Sequence, residues 1–262
     1  MSDDWLAHEL KPIVEEALAV IQETVPTVES VYIVGSVAAS HWQPAMSDLD
    51  VVVVVANPSV TVTEAALKQA LGRVNTLNLV TFVDCGILVR SNLTGSTPDL
   101  AARGHAFKIA MTGVLVWGSA INAQKFLPHM AQIAQEQVDR AVALMAKYRR
   151  GDIIGPFLRN EQLLARSCAK AAMRVVSAIT VLRGASYSAI PHDTVAAAQQ
   201  FAPEMLQVAE QAMAIILGRM SCAPPAAMEL VDHAAAAFRR RSVPQDRPNR
   251  NQTTRTPRQI GV

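Results

Sequence analysis

Two carboxylates, Asp48 and Asp50, stand at the entrance to five consecutive valines, Val51 to Val55. Such a run reads as a strand buried on both faces, a costly place for two negative charges unless something compensates them. Side chains alternate along a strand, so Asp48 and Asp50 point to the same side. Left alone they would repel each other, and one would keep its proton. A divalent cation removes that conflict. Hard oxygen donors at a strand end suit Mg²⁺, which takes a few carboxylates together with substrate phosphates. A third carboxylate is then expected from a neighbouring strand. Asp84, at the far end of the apolar segment "NLVTFVD", is the candidate, with a plain turn aspartate before Cys85-Gly86 as the competing reading. Glu64 and Asp99 fit better as acids in the first turn of a helix, where they favour the helix dipole.

A second cluster lies just upstream. "VYIVGS" is an apolar strand ending in Gly35-Ser36. Its turn offers backbone N–H groups, an absent side chain and a hydroxyl, the means to cradle a phosphate. Taken alone, Gly-Ser after a strand is only a turn. Its pairing with Ser47-Asp48-Leu49-Asp50 on the following segment is what gives it weight, because the two clusters can face each other across adjacent strands.

The elements that must position these residues follow from periodicity and breakers. An amphipathic helix is expected over 4–23 (Leu6, Leu10, Ile13, Val14, Leu18, Ile21). Strands follow at "SVYIVGS" and from Asp48 to Ala56. A helix over "TVTEAALKQALGRVNT" opens on a capping box, Thr61 with Glu64. One or two strands in "LNLVTFVDCGILV", a helix in "DLAARGHAFKIAMTG" and a strand at "VLVWG" complete the first half. Beyond Gly118 strand signals vanish, and helices are expected near 122–149, 157–183, 192–200, 203–220 and 225–241. The expected fold class is α+β. Residues 1–120 form a mixed sheet with flanking helices, 121–241 an all-helical bundle, and 242–262 a disordered basic tail.

Composition narrows the functional classes. Half of the 262 residues are apolar and 18% are charged, enough for a sizeable core. No apolar stretch reaches membrane-helix length, the acidic start "MSDDW" is unlike a signal peptide, and three isolated cysteines suggest neither disulfides nor zinc. A cytoplasmic location is expected. From Arg239 onward seven arginines face one aspartate, so the rest of the chain carries 17 basic against 21 acidic groups. No aromatic residue interleaves those arginines for base stacking, so a solvated tail is favoured over a nucleic-acid site. Six scattered histidines show no metal-ligand pairing; His41 stands apart because it lies in the Gly-Ser loop. The stripe Leu163, Leu164, Cys168, Ala171, Val175, Ile179 and Leu182 reads as bundle core.

Taken together, "VYIVGS" and "GSVAASHWQPAMSDLD" resemble the polymerase-β-like nucleotidyltransferase superfamily, whose signature is a strand, Gly-Ser, a loop, and Ser-Asp-x-Asp on the next strand. More narrowly, Gly35, Ser36, Ala38, Trp42, Gln43, Pro44, Ser47, Asp48 and Asp50 fit its aminoglycoside-adenylyltransferase-like branch. "GVLVWG" is similar to the segment that closes the catalytic half of that family. The resemblance implies a nucleoside triphosphate, ATP first, bound at Gly35, Ser36 and Ser47. It also implies one or two Mg²⁺ on Asp48, Asp50 and Asp84, with Asp84 serving as metal ligand, general base or both. Three departures stand out. Ser40 replaces a glycine, and Ala39 replaces an arginine common in other branches. The lysine that antibiotic-modifying relatives carry after the helix equivalent to 157–183 is missing from "GASYSAIPHDT", which leaves Lys170, Arg174 or Lys108 to meet the phosphates. The expected activity is transfer of a nucleoside monophosphate to a hydroxyl of a small molecule, an aminoglycoside-type antibiotic being one case. The alternatives are an AMP-transferring toxin or antitoxin acting on protein or tRNA, and a nucleotide-binding module without turnover.

Overall fold

A computed structural model of the chain describes residues 6–56, 63–93, 100–126, 130–152, 157 and 160–242. The expected cap Thr61, the helix acid Asp99 and the basic tail from 243 onward lie outside the described residues. The fold is α+β. Its first half runs α1 (Lys11–Thr24), β1 (Val28–Val34), α2 (Gly35–Ala38), β2 (Leu49–Val55), α3 (Glu64–Leu71), β3 (Val83–Val89), α4 (Leu100–Thr112) and β4 (Val114–Gly118). Pro12 in the first turn fixes where α1 begins, later than its apolar spacing suggests. A short 3₁₀ turn, His8–Leu10, precedes it. Helix α3 is capped by Thr63, whose hydroxyl accepts from the Ala66 N–H at 3.2 Å, and it stops before Gly72.

The sheet order is β3-β2-β1-β4, with β1 antiparallel to both β2 and β4 and β3 parallel to β2. Val51, Val53 and Val55 pack with Val31 and Ile33 beneath α1 and α3. Val52 and Val54 join Tyr32, Val34 and Leu88 against Ala102, Ala106 and Ile109 of α4. The valine run is therefore buried on both faces, each side chain contributing about 1.5–3 kcal/mol. This sandwiching fixes the register that aims the two aspartates. One expectation needs correction. Asp84 stands at the start of β3 rather than at its far end, because the chain turns at Leu77 and Asn78, both with positive φ, and the strand forms only from Val83.

The second half is helical: α5 (Met130–Arg149), α6 (Glu161–Leu182), α7 (Pro191–Phe201), α8 (Leu206–Ile216) and α9 (Pro224–Ser242). Asn160 caps α6, its side-chain oxygen accepting from the Leu163 N–H at 3.0 Å. Alanines 165, 169, 171 and 172 on α6 are fully buried, and their small side chains let neighbouring helices pack on almost every side. Leu164, Cys168, Ala171, Val175 and Ile179 of the expected stripe are core, but Leu182 is 46% exposed where the helix ends. Among the described residues no helix is long and apolar enough to cross a membrane.

Candidate active site

The sheet brings both sequence clusters together. Val34, the last residue of β1, pairs with Asp50 on β2, so Gly35 sits directly beside the Asp50 carboxylate. A Cβ added to Gly35 would lie 2.6 Å from Asp50 Oδ2, and the Gly35 φ is +73°. Only glycine fits this position without displacing the acid or straining the backbone. The Gly35 N–H donates to Thr112 Oγ1 at 3.0 Å, and that hydroxyl donates in turn to the Lys108 carbonyl at 3.1 Å. The turn is thereby tied to the end of α4. The Gly35 N–H is thus committed within the protein, contrary to expectation, whereas Ser36 Oγ is buried with no hydrogen-bond partner.

The loop from Ser36 to Ser47 is held by its own side chains. Ser40 has φ +56°, so the residue standing in place of glycine keeps a glycine-like backbone. Ser47 is fully buried. Its hydroxyl accepts from the Gln43 N–H at 2.8 Å, and its carbonyl accepts from the Thr81 N–H. Ser47, expected among the nucleotide ligands, is thus turned inward and locks the loop. Gln43 Oε1 accepts from Arg166 Nη2 at 3.3 Å, which joins the loop to α6.

The carboxylates stand close together but in different company. Lys170 of α6 reaches Asp48 Oδ1 at 2.7 Å, and Lys108 of α4 reaches Asp50 Oδ1 at 3.4 Å. Burial pushes the Asp48 carboxyl up, yet the Lys170 ammonium outweighs it and holds the group below the usual carboxylate range. Asp50 is shifted upward by burial, and the nearby Asp48 and Asp84 charges reinforce the shift against the pull of Lys108. Asp84 is the register partner of Asp50 across the parallel pair. Its carboxylate binds Lys68 at 3.0 Å, and Lys68 also pairs with Glu64. Asp84 does not line the cleft that Asp50 opens into. Among the described residues no three acidic, histidine or cysteine side chains are gathered tightly enough to chelate a metal.

That cleft, about 210 Å³, runs between the sheet half and α5, α6 and α7. Gly35, Ser36, His41 and Asp50 line one end, with Lys108, Arg140, Arg166, Lys170 and Arg174 around it. Arg166 is 4% exposed, and its Nε and Nη1 have no hydrogen-bond partner. Burial lowers its pKa, partly offset by Asp48. Sequence reasoning singled out Lys108, Lys170 and Arg174 but missed Arg166 and Arg140. Arg166, Lys170 and Arg174 recur every four residues on α6, a helical spacing that marks one face. Arg140 carries no comparable local signal.

Residues 14–82 match the family model described as nucleotidyltransferase domain. The chain carries a nucleotidyltransferase domain. The matched residues include Gly35, Ser36, Ser47, Asp48 and Asp50 and end two residues before Asp84. Among solved structures, spectinomycin adenyltransferase AAD(9) from Enterococcus faecialis, crystallised with ATP and spectinomycin, is similar over 89% of this chain and 99% of its own, at 12% identity and a TM-score of 0.58. A toxin–antitoxin structure with AMP-PNP aligns over 55% of this chain and 99% of its own, at 17% identity and a TM-score of 0.32. No curated protein matches the sequence. The adenyltransferase similarity extends beyond the nucleotidyltransferase domain into the helices, so the pairing of sheet half and bundle is part of the shared fold.

Proposed function

We propose that this protein transfers a nucleoside monophosphate, AMP from ATP, to a hydroxyl of a small-molecule acceptor, with release of pyrophosphate. One observation carries the reading: Asp50 lies against Gly35 in a cleft whose lining, among the described residues, holds five basic side chains and this one carboxylate, and one of those cations, Lys170, binds Asp48. A polyphosphate is the ligand that such a wall suits.

The donor set also fits magnesium. Asp48 and Asp50 form a crowded anionic pair, and Mg²⁺ needs only one or two carboxylates when phosphates supply further oxygens. Asp48 and Asp50 would hold it, and Asp84 would join once Lys68 lets go. The ion would supply charge neutralisation for the polyphosphate during in-line displacement. The protein's own groups do the rest. Lys108 and Lys170 are placed to exchange their aspartates for phosphate oxygens when a nucleotide enters. The unpaired N–H groups of Arg166 and the unpaired Ser36 hydroxyl gain the partners they lack. Ser47 and Gln43 keep the loop fixed, so that binding does not have to order it. His41 lines the same cleft, and burial lowers its pKa. With Nδ1–H donated to the Ala39 carbonyl at 3.4 Å, its Nε2 can accept the acceptor's hydroxyl proton.

The test is an assay with labelled ATP, scoring transfer to small molecules, protein and RNA, on the wild type and on Asp48→Asn and Asp50→Asn. The expected outcome is magnesium-dependent labelling of a small molecule, lost by at least about 10³-fold in both variants while they remain folded. Full activity in both variants, or label passing only to protein or RNA, would refute the proposal.

A further inference from the structure

Building on the nucleotidyltransferase reading, we infer that Lys68 is a positioning residue that holds Asp84 out of the metal site, so that the protein takes up its metal only together with a nucleotide. Each of the three carboxylates carries a lysine from a different helix. Asp48 has Lys170 of α6 at 2.7 Å, Asp50 has Lys108 of α4 at 3.4 Å, and Asp84 has Lys68 of α3 at 3.0 Å. The first two lysines line the cleft, where the phosphates of a nucleotide can claim them. Lys68 is not among the lining residues, so an entering nucleotide has no direct means of drawing it off. Asp84 leaves its ammonium only when a stronger cation is offered.

The sheet register explains the arrangement. Side chains of parallel partners share a face, so Asp84 starts on the Asp50 face, the one that α4 covers. Gly86, two residues on, meets His105 of α4 there. Helix α3 packs on the opposite face, where Leu67 and Leu71 sit with Val83 and Cys85. Strand β3 is the edge of the sheet, and Lys68 reaches Asp84 round that edge, in an ion pair open to solvent at 43% and 36% side-chain exposure. Asp84 is thus drawn outward, more exposed than Asp48 at 19% or Asp50 at 22%. Glu64, one turn before Lys68, binds the same ammonium at 3.0 Å and keeps it at the edge. A pair this exposed adds little to folding stability; its consequence is where it leaves the carboxylate. With Asp84 detained the site offers two carboxylates, enough for Mg²⁺ when phosphates supply further oxygens. Three free carboxylates would hold a divalent cation without them.

Mn²⁺ binding to the nucleotide-free protein, followed by electron paramagnetic resonance of the free ion, tests this in a double-mutant cycle of Lys68→Met and Asp84→Asn. Lys68→Met should bind Mn²⁺ at least about tenfold more tightly than the wild type, the scale on which groups around metal ligands act. Asp84→Asn should cancel that gain in the Lys68→Met protein, yet change the wild type less than about threefold. Lys68→Arg, which keeps the ion pair, should show no gain. Unchanged Mn²⁺ affinity in Lys68→Met would overturn the inference and leave Lys68 a solvated surface cation. An equal effect of Asp84→Asn with and without Lys68, or a gain in Lys68→Arg, would overturn it as well. Failure of the wild type to bind a non-hydrolysable ATP analogue with Mn²⁺, read by calorimetry, would instead remove the nucleotidyltransferase reading, and this inference with it.

Discussion

Gly35→Ala separates catalytic geometry from stability, because two distinct penalties meet at one atom. The first is conformational. An alanine at φ +73° costs about 1–2 kcal/mol relative to glycine. The second is steric. The new methyl would sit 2.6 Å from Asp50 Oδ2, well inside contact distance, and Asp50 is held by β2 between β1 and β3. Relief requires a shift of roughly 1 Å in the carboxylate or in the Gly35 turn, and a displacement of that size at a reacting centre costs on the order of 10²-fold in rate. Gly151→Ala is the matched control. Its φ is +79°, and a Cβ there would meet nothing within 4 Å, so it carries the backbone penalty alone. Denaturant melts and kcat for nucleotide transfer should then diverge. Gly151→Ala should lose about 1–2 kcal/mol of stability and Gly35→Ala at least as much, but only Gly35→Ala loses about two orders of magnitude in turnover. Equal turnover in the two variants would refute the claim that Gly35 is there to seat Asp50.

Other expected outcomes test the loop and the packing beneath it. Ser40 has φ +56°, so Ser40→Gly should raise stability by about 0.5–1 kcal/mol, the strain relieved less the added freedom of the unfolded chain; a lower melting temperature would count against strain at this position. His105 packs over Gly86, where a Cβ would lie 2.0 Å from its ring, and its Nδ1 has no partner. Burial, reinforced by Lys108, lowers its pKa from 6.5 to about 4. The unfolded chain therefore binds the extra proton more readily. The stability linked to this group is complete above pH 6.5 and is lost as pH falls towards 4, by up to roughly 3 kcal/mol. His105→Asn should flatten that limb of the stability–pH curve, and an unchanged slope would show that His105 does not set it. Asp50→Asn should raise the melting temperature at pH 7, since burial and the Asp48 and Asp84 charges disfavour its ionised form; a fall would contradict that crowding.

The sequence made the site legible where chemistry coincided with strand period. Alternation places Asp48 and Asp50 on one side, and the short separation from Gly35-Ser36 implies adjacent strands; that these run antiparallel, with Val34 opposite Asp50, comes from the fold. The α/β-to-helical change after Gly118 was equally visible, because valine-rich segments give way to alanine-rich ones. Asp84 is legible even though β3 begins only at Val83, later than the apolar segment suggests, because its parallel pairing sets Asp84 beside Asp50. Its ion pair with Lys68 could not be read, since α3 and β3 meet only in three dimensions. Nor could the inward turn of Ser47, which depends on how the loop closes on Gln43. Arg140 was invisible because nothing near it in the chain announces that Gly104, on another helix, leaves room for its guanidinium.

The central claim is that Asp48 and Asp50 hold a metal-bound polyphosphate while Lys108 and Lys170 move onto its oxygens. A crystal structure with Mg²⁺ and a non-hydrolysable ATP analogue tests it most directly. The account predicts the metal between the Asp48 and Asp50 carboxylates, with both lysines released from them and Arg166 and Ser36 bonded to phosphate. A nucleotide bound elsewhere, or bound here with Lys108 and Lys170 still on their aspartates and no metal between, would contradict it.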